Sequence, residues 1–325
     1  MHRFSIVFRF LIAGLALSAL AAGAFSAQAA YPERPISVIV TYNAGGSNDT
    51  IARYIAPLLQ KELGQPIVIV NRGGAGGTIG VNELLQKPAD GYTIGFSCSA
   101  TFAFDPQIRK VPYDMRAVEY LATIGIQQMN VNAPVDAPYN NLTELIDYAR
   151  KNGKSLSFAT PITTELYWLQ YIGDKAGIKF RLVPTKSGGE AMTQVLGGHV
   201  DLAGTGGPED PYVKAGKLKR LFNTFPGKMS GGADVQSPEE AGYPEVGAMA
   251  AYHYFAPPGL PRDIAAKLEA AVLKVSRNPE FEQFLRDNSF VPLRMTGEET
   301  KVMIDKQIDQ YRFIIDYVEA LKKKQ

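Results

Sequence analysis

Two glycine-rich stretches carry the residues whose types and spacing could hold a small anion: "TYNAGGSNDT" at 41–50 and "NRGGAGGTIG" at 71–80. In the first, Gly45 and Gly46 let the backbone approach a ligand and adopt dihedrals closed to other residues. Tyr42, Asn43, Ser47 and Asn48 surround them with hydroxyl and amide groups. In the second, Gly74, Ala75 and Gly76 leave the main chain bare, and Thr78 places a hydroxyl at a helix start. Each stretch follows a β-branched run and precedes a helical pattern, so main-chain N–H groups without intrahelical partners point outward. That is the chemistry of reversible carboxylate capture, with no covalent step. A tight turn with Asp49 as helix cap is the plainer alternative. Asp49 is expected as cap or buried support, since a bare carboxylate repels an anion. Arg72, just after a strand, is expected to brace neighbouring groups.

The second half offers three further loops. "TPITT" supplies Thr160, Thr163 and Thr164; "PTKSGGE" supplies Lys186, the best candidate for a direct positive charge; "GTGG" supplies Thr205 after a strand. Asp201, ahead of that loop, is expected as support behind it.

The elements that must position these loops are read from hydrophobic period. "ISVIV" (36–40), "IVIV" (67–70) and residues 92–96 read as strands, with helices at 50–63 and 78–87 between them. Strand–helix–strand alternation with short turns gives a parallel sheet whose carboxyl edge receives both glycine loops. A similar half follows: helices at 142–151, 163–175 and 189–196, strands at 156–159, 180–183, 200–203 and 218–222. "FAPPGLPRDI" then leads to C-terminal helices. The last opens with a Thr296–Glu299 capping box and carries an Ile304, Ile308, Tyr311, Ile315, Val318 stripe that needs a core, for which the first sheet is the candidate host. The expected fold is α/β and two-lobed, like that of periplasmic binding proteins, each lobe a mostly parallel sheet flanked by helices. The expected boundaries are a first lobe at 30–131, a second at 132–254 and a return to the first at 255–325. A chain that crosses twice between lobes makes an interlobe cleft at the strand ends.

Composition narrows the function. Arg3, Arg9, the apolar run 10–25 and "AQA" at 27–29 form a signal peptide, with cleavage expected near Ala29–Ala30 and export to a periplasm. Loss of Arg3 and Arg9 brings the 34 basic residues of the full sequence level with its 32 acidic ones, which removes the motive for nucleic acid or an anionic membrane surface as partner, and no stable membrane insertion is expected. Cys98 stands alone, so no internal disulfide forms. His199 and His253 lack partners at metal-ligand spacing, and Ser97 lacks the second glycine of a nucleophile elbow. No cofactor or metal is expected. An enzyme reading fails because the "GGAGG" spacing is wrong for a dinucleotide loop and no acidic residue ends the next strand.

The order of motifs resembles the substrate-binding proteins of tripartite tricarboxylate transporters, the Bug family. The likeness runs through Tyr31–Pro32, Gly45 to Asp49, Asn71 to Gly77 and Asp90 to Tyr92, then "VPTKSGGEAMTQVLGGHVDLA", "AGKLKRL" and "FAPPGLPRDIAAKLEAAV". It implies a monomeric periplasmic receptor that closes over a small di-, tri- or aromatic carboxylate and presents it to one large and one small integral permease subunit. It also implies that backbone N–H groups and hydroxyls from the loops at 42–49 and 73–78 hold the acid. The first loop departs from the family in having Tyr42, Asn43 and Ala44 before its glycines. The second half departs at Phe158 to Pro161, Pro184 to Ser187 and "GTGG", so these residues put the distal end of the solute in question. A sensor that signals through a partner protein would use the same cleft.

Overall fold

The computed structural model describes residues 31–224, 235–247 and 250–324. The expected signal peptide and its cleavage point lie outside the described residues. In chain order the elements are β1 (Ile36–Val40), α1 (Ser47–Leu63), β2 (Ile67–Asn71), α2 (Thr78–Leu85), β3 (Thr93–Cys98), α3 (Ala100–Ala103), α4 (Asp105–Ile108) and β4 (Glu119–Gln127). Next come β5 (Asn130–Pro134), α5 (Leu142–Asn152), β6 (Leu156–Thr160), α6 (Thr163–Ala176), β7 (Phe180–Pro184), α7 (Gly188–Leu196), β8 (Leu202–Thr205), α8 (Asp210–Lys214) and β9 (Leu218–Asn223). The chain ends with β10 (Ala250–Ala256), α9 (Arg262–Val275), α10 (Pro279–Asp287), β11 (Phe290–Thr296) and α11 (Gly297–Lys322).

The strands form two sheets, ordered β11-β4-β10-β3-β1-β2 and β7-β6-β8-β5-β9. β1 pairs parallel with β2 and β3, and β6 pairs parallel with β7 and β8. The sheets are nonetheless mixed, because β10 runs antiparallel to β3 and β4, and β5 antiparallel to β8 and β9. The reason lies in the crossings. A strand arriving from the other lobe starts at the cleft edge and runs away from it, opposite to strands whose carboxyl ends face the cleft. Only Gln128 and Met129 separate β4 from β5.

The return crossing corrects the expected boundary at 254. β10 already belongs to the first sheet at Ala250, with Tyr252, His253 and Tyr254 buried and paired on both sides. Aromatic residues covered on both faces read poorly as alternating, so the strand hides in the sequence. His253 itself is a core residue: its ring lies 5.2 Å from both Phe102 and Tyr120, and burial pushes its pKa down to about 3.

Helix α11 also differs from expectation. Its capping box forms, with Thr296 and Glu299 each bonding the other's backbone, and it docks on β4 through a 2.8 Å Thr123–Thr300 hydroxyl contact. It then continues onto α6 of the second lobe. Tyr311 lies 5.6 Å from Trp168 and Tyr317 lies 4.9 Å from Tyr171, ring centre to ring centre. One apolar cluster therefore includes Phe102 and Phe255 from the first lobe, Phe158 and Trp168 from the second, and Ile304 and Tyr311 from the helix.

Candidate functional site

The carboxyl end of β1 turns through Gly45, at φ +83°, into α1. Gly46 precedes the helix and offers no side-chain cap, so Asp49 is not the cap. Asp49 folds back instead. Its Oδ2 accepts the Gly45 N–H at 2.9 Å, and its Oδ1 accepts from Arg53 Nε at 2.8 Å and Asn71 Nδ2 at 2.9 Å. Burial alone would raise its pKa, but these donors together outweigh it and hold the carboxyl below its ordinary range. The first internal bond of α1 is Thr50 N–H to Gly46 O, so the N–H groups of Ser47, Asn48 and Asp49 fall in the turn a helix cannot satisfy internally.

The second loop carries four successive positive φ angles, at Gly74, Ala75, Gly76 and Gly77. Tyr42 clamps it: its hydroxyl donates to Gly76 O at 3.1 Å and lies 3.0 Å from Thr101 Oγ1. Burial pushes the Tyr42 pKa well up, so it remains a neutral phenol. The Thr78 hydroxyl donates to Ala75 O at 2.9 Å and so serves the loop itself. Gly73 leaves room for Asn43, which packs the first loop against the second.

Between the lobes lies a cavity of about 420 Å³, within the usual range for a small-molecule site. Tyr42, Gly46, Ser47, Asn48 and Gly76 line one wall; Thr163 and Thr164, at the start of α6, line the opposite one. Phe104, Met129, Ile162 and Tyr311 make it partly apolar. A second opening of about 600 Å³ is lined by Gly45, Gly46 and Ser47 facing Gly206 to Pro208 and Asn288 to Phe290. Gln127 borders both. Its Nε2 donates to Gly206 O at 2.6 Å across the crossing, and its Oε1 accepts the Tyr252 hydroxyl at 2.8 Å.

Other expected site residues stand elsewhere. Asn43, Gly74, Ala75 and Thr78 shape the loops without lining either opening. Thr160 and Thr205 are buried and donate to Glu165 at 2.6 Å and Glu209 at 2.7 Å. Burial drives Glu165 up to about 8 against the Thr160 bond, with Glu209 adding to the rise. Lys186 is exposed and lines neither opening; its backbone N–H caps back to Glu190 at 2.8 Å. Loop lysines are drawn to water, and this one follows that preference. Arg72 bridges to Glu83 at 2.9 Å, as a brace. Asp201 precedes β8 and staples it to β6 through Ser157 and Lys154.

Sequence reasoning missed Asp105 and Arg109, the only charged side chains lining the smaller cavity among the described residues. They pair at 2.9 Å, one turn apart. Burial pushes Asp105 up to about 6, opposed by the charge and hydrogen bond of Arg109. A readable signal existed: Asp105 before Pro106 opens a helix, with arginine four residues on. Nothing local said that this short helix faces the cleft. Among the described residues no group of three His, Cys, Asp or Glu is placed to hold a metal, and no helix is long and apolar enough to cross a membrane.

The sequence pattern of the "Tripartite tricarboxylate transporter family receptor" matches residues 51–319. The chain belongs to this family. A UPF0065 protein of Bordetella pertussis is 29% identical over 313 residues, covering 95% of this receptor and 97% of that protein. The periplasmic binding protein BugD superposes with a TM-score of 0.71 at 26% identity, over 89% of this receptor and 99% of that chain. MatC from Rhodopseudomonas palustris, solved with bound malate, gives 0.68 at 25% identity, over 88% and 100%. The two-lobed fold and the periplasmic solute-binding class follow, and the family is one of receptors rather than catalysts.

Proposed function

We propose that this receptor captures a small organic carboxylate in the interlobe cavity and presents it to a permease of one large and one small integral membrane subunit, after export and cleavage near Ala29–Ala30. The observation that carries the reading is the apposition of the α1 start (Gly46, Ser47, Asn48) with Thr163 and Thr164 across the same cavity. Unsatisfied N–H groups and a helix N-terminus favour negative charge, each charge contact by about 0.3–1 kcal/mol at exposed sites. Several such donors, enclosed by two lobes, are needed for useful affinity. The malate in MatC, a carboxylate in a related receptor, supports the class of ligand. The apolar lining from Phe104, Met129 and Ile162 favours an acid with a hydrocarbon body.

Calorimetric titration of the mature chain with mono-, di- and tricarboxylates and their neutral amides tests this. Binding of acids in preference to amides is expected. Equal or tighter binding of the amides would remove the basis for the reading. Ligand-dependent association with the two permease subunits in liposomes tests the delivery step.

A further inference from the structure

We propose that Glu165 is a positioning residue for the second wall of the cavity, that it holds this wall in its protonated form, and that the receptor takes up a proton at Glu165 as it binds an anionic ligand. The inference rests on the proposed carboxylate reading and adds a proton linkage to it.

The geometry is a chain of contacts from the core to the lining. Glu165 is 1% exposed and sits in the first turn of α6. Its Oε2 accepts the Thr160 hydroxyl at 2.6 Å, and Thr160 Oγ1 accepts the Ile162 N–H at 3.0 Å. The Glu165 N–H closes the loop by donating to Ile162 O at 3.1 Å. Between these bonds lie Pro161, Ile162, Thr163 and Thr164, all four of which line the cavity. Gly204 of β8 leaves the carboxyl its space, since a Cβ there would collide with Oε2.

The same carboxyl is poorly provided for as an anion. Oε1 is buried and has no hydrogen-bond partner. A helix start ordinarily favours a charged carboxyl, but burial outweighs this, and the pKa is raised to about 8 with the Thr160 bond opposing the rise. Glu209, ahead of α8, adds a like charge that raises it further. Asn130, the Thr205 hydroxyl and the Gly207 N–H all donate to Glu209, and Arg220 Nε lies 3.9 Å from it, so these groups are spent on Glu209. Ionised, Glu165 would set a negative charge directly behind Thr164, on the wall that faces the ligand. An anion in the cavity therefore binds the protonated form better, and by reciprocity its binding favours the proton. Other titratable groups of the lining keep their charge state from pH 7 to 9: Asp105 titrates near 6, and burial pushes Tyr42, Cys98, Tyr252 and Tyr311 upward.

Benzoate, succinate, adipate and citrate titrated calorimetrically into the mature receptor at pH 7, 8 and 9 test this, with the pH 8 runs repeated in buffers of different ionisation enthalpy. The best-bound acid is expected to weaken about tenfold from pH 7 to 9, as the protonated fraction falls, and to bind with uptake of about half a proton at pH 8. Infrared difference spectra of the wild type on ligand addition at pH 8 should show a protonated carboxyl forming. E165A, which removes the acceptor for Thr160, should weaken binding about tenfold at pH 7. E165Q keeps an acceptor but cannot titrate; it should recover most of that loss and abolish both the pH dependence and the proton uptake. Thermal melts check that both variants are folded. A wild type with flat affinity from pH 7 to 9, no proton uptake or no new protonated carboxyl would overturn the inference whatever the variants do, and leave carboxylate capture standing. An unchanged pH profile in folded E165Q would overturn it equally. Failure of all four acids to bind at pH 7 would remove the carboxylate reading and this inference together.

Discussion

The carboxyl group of Asp105 occupies the space that a Cβ on Gly76 would need. Two segments that are remote in sequence thus share one volume, and the glycine is required twice over: by that contact and by its φ of +68°. Gly76→Ala should lose roughly 1–2 kcal/mol to the left-handed backbone alone and weaken carboxylate binding at least about tenfold by distorting the loop that lines the cavity. Gly153→Ala is the control, since Gly153 has φ +59° and an added methyl there would meet nothing within 4 Å. It should lose similar stability and bind normally. Paired thermal melts and calorimetry separate strain from site damage.

Asp49 ties the first loop to β2. Its folded pKa is depressed, so its contribution is present above the unfolded carboxyl range and is lost as pH falls through the folded value. Asp49→Ala should cost about 1–3 kcal/mol at pH 7, and the gap from wild type should close in strong acid. Urea denaturation at pH 7 and at progressively lower pH provides the comparison.

Asp105 has the opposite sign. Its folded pKa is about 6, above the unfolded value of about 3.9. Between those values the folded state keeps a proton that the unfolded state has released, so stability falls as pH rises from about 4 to about 6 and stays lower above that. D105N escapes this penalty. In the absence of ligand it should exceed wild type at pH 7.5 by up to about 3 kcal/mol, with little difference near pH 4. Denaturation curves at the two pH values decide it.

Ser47 lines both openings, whereas Lys186 lines neither. Ser47→Ala should therefore weaken acid binding about two- to tenfold, the scale of one lost hydrogen bond. Lys186→Ala should leave affinity unchanged. The reverse pattern by calorimetry would place the ligand against the second lobe's outer loop instead.

Much of the lobe-forming pattern is legible in the sequence. β1 and β2 are short β-branched runs, α1 repeats Ile51, Ile55 and Leu59 on one face, and both glycine loops follow directly. The local period reports these elements because each is a contiguous segment with a fixed buried face. The second wall is harder to read. Thr163 and Thr164 reach the cavity, but neighbouring Thr160 turns inward to a buried glutamate, a choice set by Glu165 five residues later. Lys186 stands out by its charge, yet charge says nothing about which way a loop faces. The Asp105–Arg109 pair is local, but it joins Gln127 and Tyr252 in one lining only through tertiary packing, and no local spacing encodes that meeting.

Helix α11 makes the receptor's mechanics unlike those of two bodies swinging on a pair of strands. Prising α6 off α11 would uncover Trp168, Tyr171 and Tyr311, at about 1.5–3 kcal/mol per large side chain. Wide gaping that breaks this aromatic seam is thus confined to rare excursions, fewer than roughly one molecule in a thousand. Any displacement of the lobes that keeps this seam intact carries α6 and α11 together and is correspondingly small.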